Sequence, residues 1–175
     1  MSLTVADVAT RLEQRHELIR ARADHSARII ERVSAELGQE IPQELKAFYR
    51  EHIARVGEFL AISPVWNAHV GWRPGMMETA ILFPAHAVPI FSDGCGSLYG
   101  VDLDAGDATP AVYFFDHQDD FRRPRWAAGS SIATFLLLLA DGDRACRENW
   151  PPKWELAIDP GLEQCARTTA IWNSG

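Results

Sequence analysis

Apolar and small residues recur every three or four positions over residues 4–37. This spacing places them on one face of a helix. Thr4 and Asp7 have the spacing of a capping box at its start, and Gly38 supplies a residue that ends helices. The pattern predicts an N-terminal helix, with a weak alanine-containing middle at residues 23–27 where a break would fall.

Two further helices are predicted from start and stop signals. Pro42 opens a segment with an apolar side, and Gly57 ends it. Ser130 or Ser131 caps a strongly apolar segment that runs to Pro151. The apolar side of the second helix requires a partner surface, and the sheet predicted next is the natural candidate.

Between these helices the pattern changes to β-type residues separated by turns. Residues 88–91 lead into Asp93-Gly94, a dipeptide that tolerates positive φ, and residues 98–103 lead out. A second turn at residues 104–110 precedes the branched and aromatic residues 111–115. The sequence therefore predicts three strands in an antiparallel meander, and an α+β fold.

Length and composition favour one domain over residues 1–175, since 175 residues at 47% hydrophobic composition bury one core well. The N-terminus has no basic segment followed by an apolar run, and no apolar block approaches the length that spans a bilayer. The three cysteines lack metal-ligand spacing, which favours reduced thiols. We expect a cytoplasmic protein without membrane contact.

The net charge of −7 is concentrated in one segment. Residues 1–92 and 121–175 together carry equal numbers of acidic and basic residues, whereas residues 93–120 contain seven aspartates and no Lys or Arg. Such a field repels nucleic acid and attracts basic partners. Aspartates also populate turns as local caps, which would account for several of them.

The glycine- and aspartate-rich segment 91–107 fails the motif tests for three kinds of site. Tyr99 stands where a dinucleotide fingerprint needs its third glycine, and Tyr113 stands where a calcium loop needs its glutamate. Cys95 would be a nucleophile only beside a base, and His86 or His117 is not placed there by sequence alone. We expect no metal and no cofactor, and a structural role for Gly94 and Gly96.

The order of these pieces resembles the SUKH superfamily, the Smi/Knr-type fold. The resemblance rests on the helix IPQELKAFY, the Asp-Gly hairpin, the segment YGVDLD, the strand AVYFFDHQDD and the helix SIATFLLLL. It covers residues 37–140, leaving an N-terminal helical extension at 1–37 and a helix end and tail at 141–175. It implies a central, mainly antiparallel sheet flanked by N-terminal helices and a C-terminal helix.

The same resemblance implies a binding function, because many bacterial members are immunity proteins that neutralise a cognate toxin, often a nuclease. We expect a non-enzymatic protein that occludes a toxin with a basic surface. The expected contact residues are the acids of the 93–120 segment and two tryptophans, which would form a contact surface if exposed and ordinary packing if buried: Asp93, Asp102, Asp104, Asp107, Asp116, Asp119, Asp120, Trp66 and Trp72.

Two alternatives remain at this point. The first is a regulatory scaffold for cellular proteins, which the same fold would permit. The second is an enzyme that holds a divalent ion with members of the set Asp93, Asp102, Asp104, His117 and Asp119. The enzyme requires these side chains to converge on one point.

Overall fold

A computed structural model of the chain describes residues 3–14, 31, 34–35, 38, 40–51, 63–64, 83–84, 87–103, 110–149, 151–165 and 169–170. In this part of the chain the helices are α1 (Val5–Gln14), α2 (Gln43–Glu51), α3 (Ile132–Arg147) and α4 (Trp154–Ile158). The strands are β1 (Ser63–Pro64), β2 (Ala87–Ser92), β3 (Leu98–Asp102), β4 (Val112–Phe115), β5 (Trp126–Gly129) and β6 (Thr169–Ala170), and short 3₁₀ helices span His117–Asp119 and Pro160–Gln164.

The described strands form one sheet in their sequence order, β1 to β6. The strands from β1 to β5 pair antiparallel, and β6 joins β5 in parallel. The register between β2 and β3 shifts between Pro89 and Phe91, where a proline that cannot donate a ladder hydrogen bond interrupts the strand. The predicted α+β fold with its mainly antiparallel meander is confirmed.

One face of the sheet packs against α2 and α3 through aromatic rings. Phe48 of α2 meets Phe91 of β2 edge to face, with ring centres 5.7 Å apart. Phe135 of α3 contacts both Phe91 and Tyr99, at 6.0 and 4.8 Å. The hydroxyl of Tyr49 donates to the carbonyl of Ile90, so this buried polar group is satisfied. The sheet is the predicted partner of α2.

The opposite face carries a second aromatic cluster. Phe83 lies against Phe115 of β4 and stacks on Phe121, with ring centres 4.5 and 5.4 Å apart. Gly100 of β3 lies beneath them, and a Cβ at this position would come within 2.9 Å of the Phe83 ring. The glycine of the YGVDLD segment therefore permits close packing of aromatic rings on the strand.

The chain on both sides of the meander contributes to the same core. Val5 and Val8 of α1 are buried, and α1 packs against α3. Leu162, in the 3₁₀ helix after α4, is also a core residue. The predicted capping box of α1 is present, since the Thr4 and Asp7 side chains each accept a hydrogen bond from the other's backbone N–H, at 3.2 and 2.9 Å.

Several expectations require qualification. Strand β5 was missed because Trp-Ala-Ala-Gly has little β-type character, and its pairing with β4 is a tertiary contact. The N-terminal helix is described only over α1 and at residues 31 and 34–35, so the proposed break at 23–27 lies outside the described residues. The stop residue Gly38 has φ +66°, as expected of a helix-ending glycine.

Candidate functional site

The β2–β3 turn, residues Asp93–Ser97, is organised by its first side chain. The Asp93 carboxylate accepts hydrogen bonds from the backbone N–H groups of Cys95 and Ser97, at 2.8 and 3.0 Å. Gly94 and Gly96 have φ of +79° and +104°, a region that other residues rarely adopt. The prediction of a turn needing positive φ is confirmed, and Asp93 is one of the aspartates that cap a turn.

The β4–β5 loop, residues Asp116–Arg125, is closed by ion pairs. Arg125 contacts the Asp116 carboxylate at 3.2 Å and the Asp119 carboxylate at 2.8 Å. The exposed Arg122 reaches Asp120 at 3.3 Å. These bonds show that arginines following the acidic segment offset part of its charge, so the field at this loop is weaker than the sequence count implies.

The same ion pairs shift the ionisation of their members. The hydrogen bond from Arg125 lowers the pKa of Asp119 below its ordinary value, and the pKa of Arg125 rises in return. On β3, burial raises the pKa of Tyr99 to about 12, with the Asp93 charge adding to the effect. Tyr99 is therefore a neutral core side chain.

The backbone of the β4–β5 loop contains two consecutive non-glycine residues with positive φ. Asp120 has φ +52° and Phe121 has φ +57°. Such conformations persist where the surroundings impose them. Here the Phe121 ring is buried against Phe83, which anchors the loop and leaves Asp120, Arg122 and Arg123 exposed. The loop is a pre-formed, charged projection.

A serine and a histidine join the turn to the loop. The buried hydroxyl of Ser97 lies 3.0 Å from His117 Nδ1, and Asp116 Oδ1 lies 3.5 Å from the same nitrogen. A catalytic Ser-His-Asp arrangement places serine and aspartate on opposite ring nitrogens, with the serine open to substrate. Here both contact one nitrogen and the serine is buried, so this is a structural contact between two loops.

The sheet register separates the sequence-predicted acids into two groups. Leu98 pairs with both Ser92 and Phe115, so the β2–β3 turn and the β4–β5 loop lie at one end of the sheet, called the Asp93 end. Asp102 pairs with Ala87 at the opposite end of the sheet, which is called the Asp102 end. The four residue steps of β3 from Leu98 to Asp102 span about 13 Å. Asp104 and Asp107 follow Asp102 but lie outside the described residues.

This separation bears on the metal-dependent alternative. Asp93, His117 and Asp119 belong to the Asp93 end, whereas Asp102 lies at the far end of β3. Within the described residues, no three His, Cys, Asp or Glu side chains are grouped closely enough to hold a metal ion. The proposed ligand set does not converge among the members that the structure describes.

An aromatic feature at the Asp93 end was not singled out from the sequence. Trp126, the first residue of β5, stacks on Phe114 with ring centres 5.4 Å apart, and the Arg125 guanidinium lies 6.0 Å from the Trp126 ring. Its position after three arginines offered a weak signal, but strand pairing brings it to Phe114. Trp66 and Trp72, the predicted contact tryptophans, lie outside the described residues.

Comparison with known proteins gives a family. The family model described as the SMI1 / KNR4 family (SUKH-1) matches residues 26–137, more than half of the chain. The chain belongs to this family. The match includes α2, strands β1 to β5 and the first part of α3, whereas α1 and α4 lie outside it. No curated protein and no solved structure gives a significant match.

Membership in the SMI1 / KNR4 family agrees with the resemblance drawn from the order of the sequence segments. The Asp93 end lies within the matched region, so the turn and the loop belong to the part of the chain that the family shares. In the described part of the chain, no helix combines the length and apolarity needed to cross a bilayer.

Proposed function

We propose that this protein is a non-catalytic, cytoplasmic immunity protein that binds a cognate bacterial toxin and blocks its active surface. The observation that carries the proposal is the family match over residues 26–137, because immunity to toxins is an activity for which the SUKH families are known. The geometry supports it, since the β4–β5 loop exposes charged side chains and the Ser97–His117 contact joins this loop to the β2–β3 turn.

The contact surface is proposed to include the predicted acids and tryptophans. The β2–β3 turn and the β4–β5 loop together carry four acids and three arginines, a net charge of about −1, and two of these arginines pair with acids of the loop. The chain around the Asp102 end, residues 102–111, carries three acids and no Lys or Arg. We expect a basic partner to be attracted most strongly by this segment of the sequence.

This assignment makes the two ends separable by mutation. Neutralising Asp104 and Asp107 removes two charges from residues 102–111, a segment of the sequence that contains no Lys or Arg. Replacing Asp120 and Arg122, an exposed ion pair, removes one charge of each sign from the Asp93 end and keeps the net charge constant. The first pair tests electrostatic attraction, and the second tests direct contact.

The proposal is tested by sequencing the genes beside this one and purifying any toxin domain that they encode. The wild-type protein is expected to form a complex of defined stoichiometry and to abolish the toxin's activity in a purified assay. Protection of cells that express the toxin should require this complex. Absence of both complex and protection would exclude immunity against that toxin, and stable capture of it without loss of activity would exclude occlusion.

A further inference from the structure

The contact between Ser97 and His117 has a direction that depends on protonation. The Ser97 residue is 4% exposed, so its hydroxyl hydrogen requires a protein acceptor. The Ser97 oxygen accepts from the backbone N–H of His117, at 3.4 Å, while His117 Nδ1 lies 3.0 Å away. In the neutral imidazole with its hydrogen on Nε2, Nδ1 is the acceptor to which this hydroxyl donates.

Protonation of His117 removes this acceptor. Both ring nitrogens of a charged imidazole are donors, so Nδ1–H would point a hydrogen at the Ser97 oxygen and at Asp116 Oδ1, 3.5 Å away. The buried Ser97 hydroxyl would lose its acceptor. The positive charge of the imidazolium would favour the Asp116 carboxylate as the partner of Nδ1–H. The contact that joined two loops would become a contact within one loop.

We propose that His117 is a pH-sensitive latch that holds the β2–β3 turn against the β4–β5 loop when neutral and releases the turn when protonated. Exposure permits this, because the His117 side chain is 48% exposed and exchanges protons with solvent without unfolding. Gly96 of the turn lies beside the ring, where a Cβ would make an ordinary contact at 3.6 Å, so its φ of +104° is what requires glycine.

The charged and titratable groups around the latch are few in the described part of the chain. On the loop they are Asp116, whose other oxygen is paired with Arg125, and Asp119, which Arg125 also binds. On the turn they are Asp93, which bonds the Ser97 N–H, and the exposed Cys95. Between pH 8 and 5.5 the carboxyl group of Glu44 in α2 also titrates, because burial raises its pKa to about 7, so the experiment is run in a Glu44→Gln background.

Nuclear magnetic resonance on the ¹⁵N-labelled full chain tests the latch. Long-range ¹H–¹⁵N spectra should show His117 as the Nε2–H tautomer at pH 8. Amide exchange, corrected for its intrinsic pH dependence, measures the opening constant of the Asp93 and Ser97 amides. This constant should rise about fivefold by pH 5.5, because one hydrogen bond is lost. The amide of Val101, in the buried part of β3, serves as the reference for global opening.

Two variants should each remove the pH dependence of amide exchange, one with fast exchange and the other with slow exchange at both pH values. In Ser97→Ala the hydroxyl is absent, so the turn should exchange rapidly at both pH values. In His117→Asn the amide oxygen replaces Nδ1 as an acceptor that does not titrate, so exchange should stay slow at both. An Nδ1–H tautomer at pH 8, equal turn opening at both pH values in the wild type, or a pH step that persists in Ser97→Ala would each overturn the latch.

Discussion

At the scale of single residues, two glycines of the meander are required for different reasons. Gly94 has φ +79°, and no atom of the described residues would lie within 4 Å of a Cβ at this position, so its requirement is conformational. Gly100 has no such φ, but a Cβ there would meet two phenylalanine rings and the carbonyl oxygen of Val88, at 2.9 to 3.2 Å. Glycine is therefore required at position 100 because a side chain would not fit.

The two glycines therefore give a matched pair of variants. Gly94→Ala should lower the free energy of unfolding by about 1 kcal/mol through backbone strain alone. Gly100→Ala should cost about 1–3 kcal/mol, because Phe83 and Phe115 must move within a packed cluster. Denaturant unfolding measures both. A Gly100→Ala protein as stable as the wild type would show that the rings relax freely.

Glu44 gives the fold a pH dependence. Burial in the first turn of α2 raises its pKa from 4.5 to about 7, and one carboxylate oxygen is buried without a hydrogen-bond partner among the described residues. Between these two values the folded chain holds a proton that the unfolded chain has released. The contribution to stability is therefore fully present below pH 4.5 and is lost as the pH rises through 7.

Replacing the carboxyl by a neutral amide tests this sign. Glu44→Gln should stabilise the protein at pH 8 by about 1 kcal/mol, a modest value because the side chain is only partly withdrawn from water. The gain should vanish near pH 4.5. Glu40→Gln, at an exposed position, is the control for the same chemical change. Stabilisation by Glu44→Gln at low pH only would reverse the argument.

At the scale of elements, α3 is held at its start from two sides. Ser131 and Thr134 exchange the hydrogen bonds of a local cap, at 3.1 Å. From the distant chain after α4, the buried Asp159 carboxylate accepts from the N–H of Ser130 at 2.7 Å and from the Ser130 hydroxyl. The C-terminal segment outside the family match thereby fixes the strand-to-helix junction.

Loss of the distant contact should exceed loss of the local cap. Asp159→Ala leaves the Ser130 and Gly161 donors without their carboxylate and should cost about 2–3 kcal/mol. Ser131→Ala should cost about 1 kcal/mol. Thermal and denaturant unfolding compare the two variants. Equal losses would mean that the C-terminal segment contributes nothing beyond an ordinary cap.

At the scale of the whole molecule, the five described acids of residues 93–120 do not form one surface. The strand register places Asp93, Asp116, Asp119 and Asp120 at the Asp93 end, where Arg122 and Arg125 lie. It places Asp102 at the opposite end. Long-range attraction depends on net charge, whereas contact energy depends on shape and on buried groups. The two ends are therefore expected to affect toxin association differently.

Association rates across a salt series measure this difference. Asp104→Asn with Asp107→Asn should lower the on-rate and flatten its decline with salt, since screening acts beyond about 10 Å at 0.1 M. Asp120→Asn with Arg122→Gln should leave the salt slope unchanged and raise the off-rate if the loop is in contact. The fourfold change of Asp104, Asp107, Asp119 and Asp120 should combine a slower on-rate with an intact fold, which circular dichroism checks. Unaltered rates in all three variants would remove both ends from the interface and leave Trp66 and Trp72 as the proposed contacts.

The sequence by itself determined the elements whose signals are local. The Thr4–Asp7 box, the helix-ending Gly38 and the positive φ of Gly94 follow from backbone chemistry within a few residues. The order of helix, meander and capped helix sufficed to indicate the family. These features were predictable because neighbouring residues alone create the hydrogen bonds and the periodicity.

Tertiary structure decided what depends on residues far apart in the chain. Strand β5 exists through pairing with β4, and Asp159 reaches Ser130 across 29 positions. Whether an aspartate caps a turn, pairs with Arg125 or faces the far end of the sheet depends on strand register. A count of charges along the sequence takes account only of sequence distance. It therefore grouped side chains that the sheet places at opposite ends.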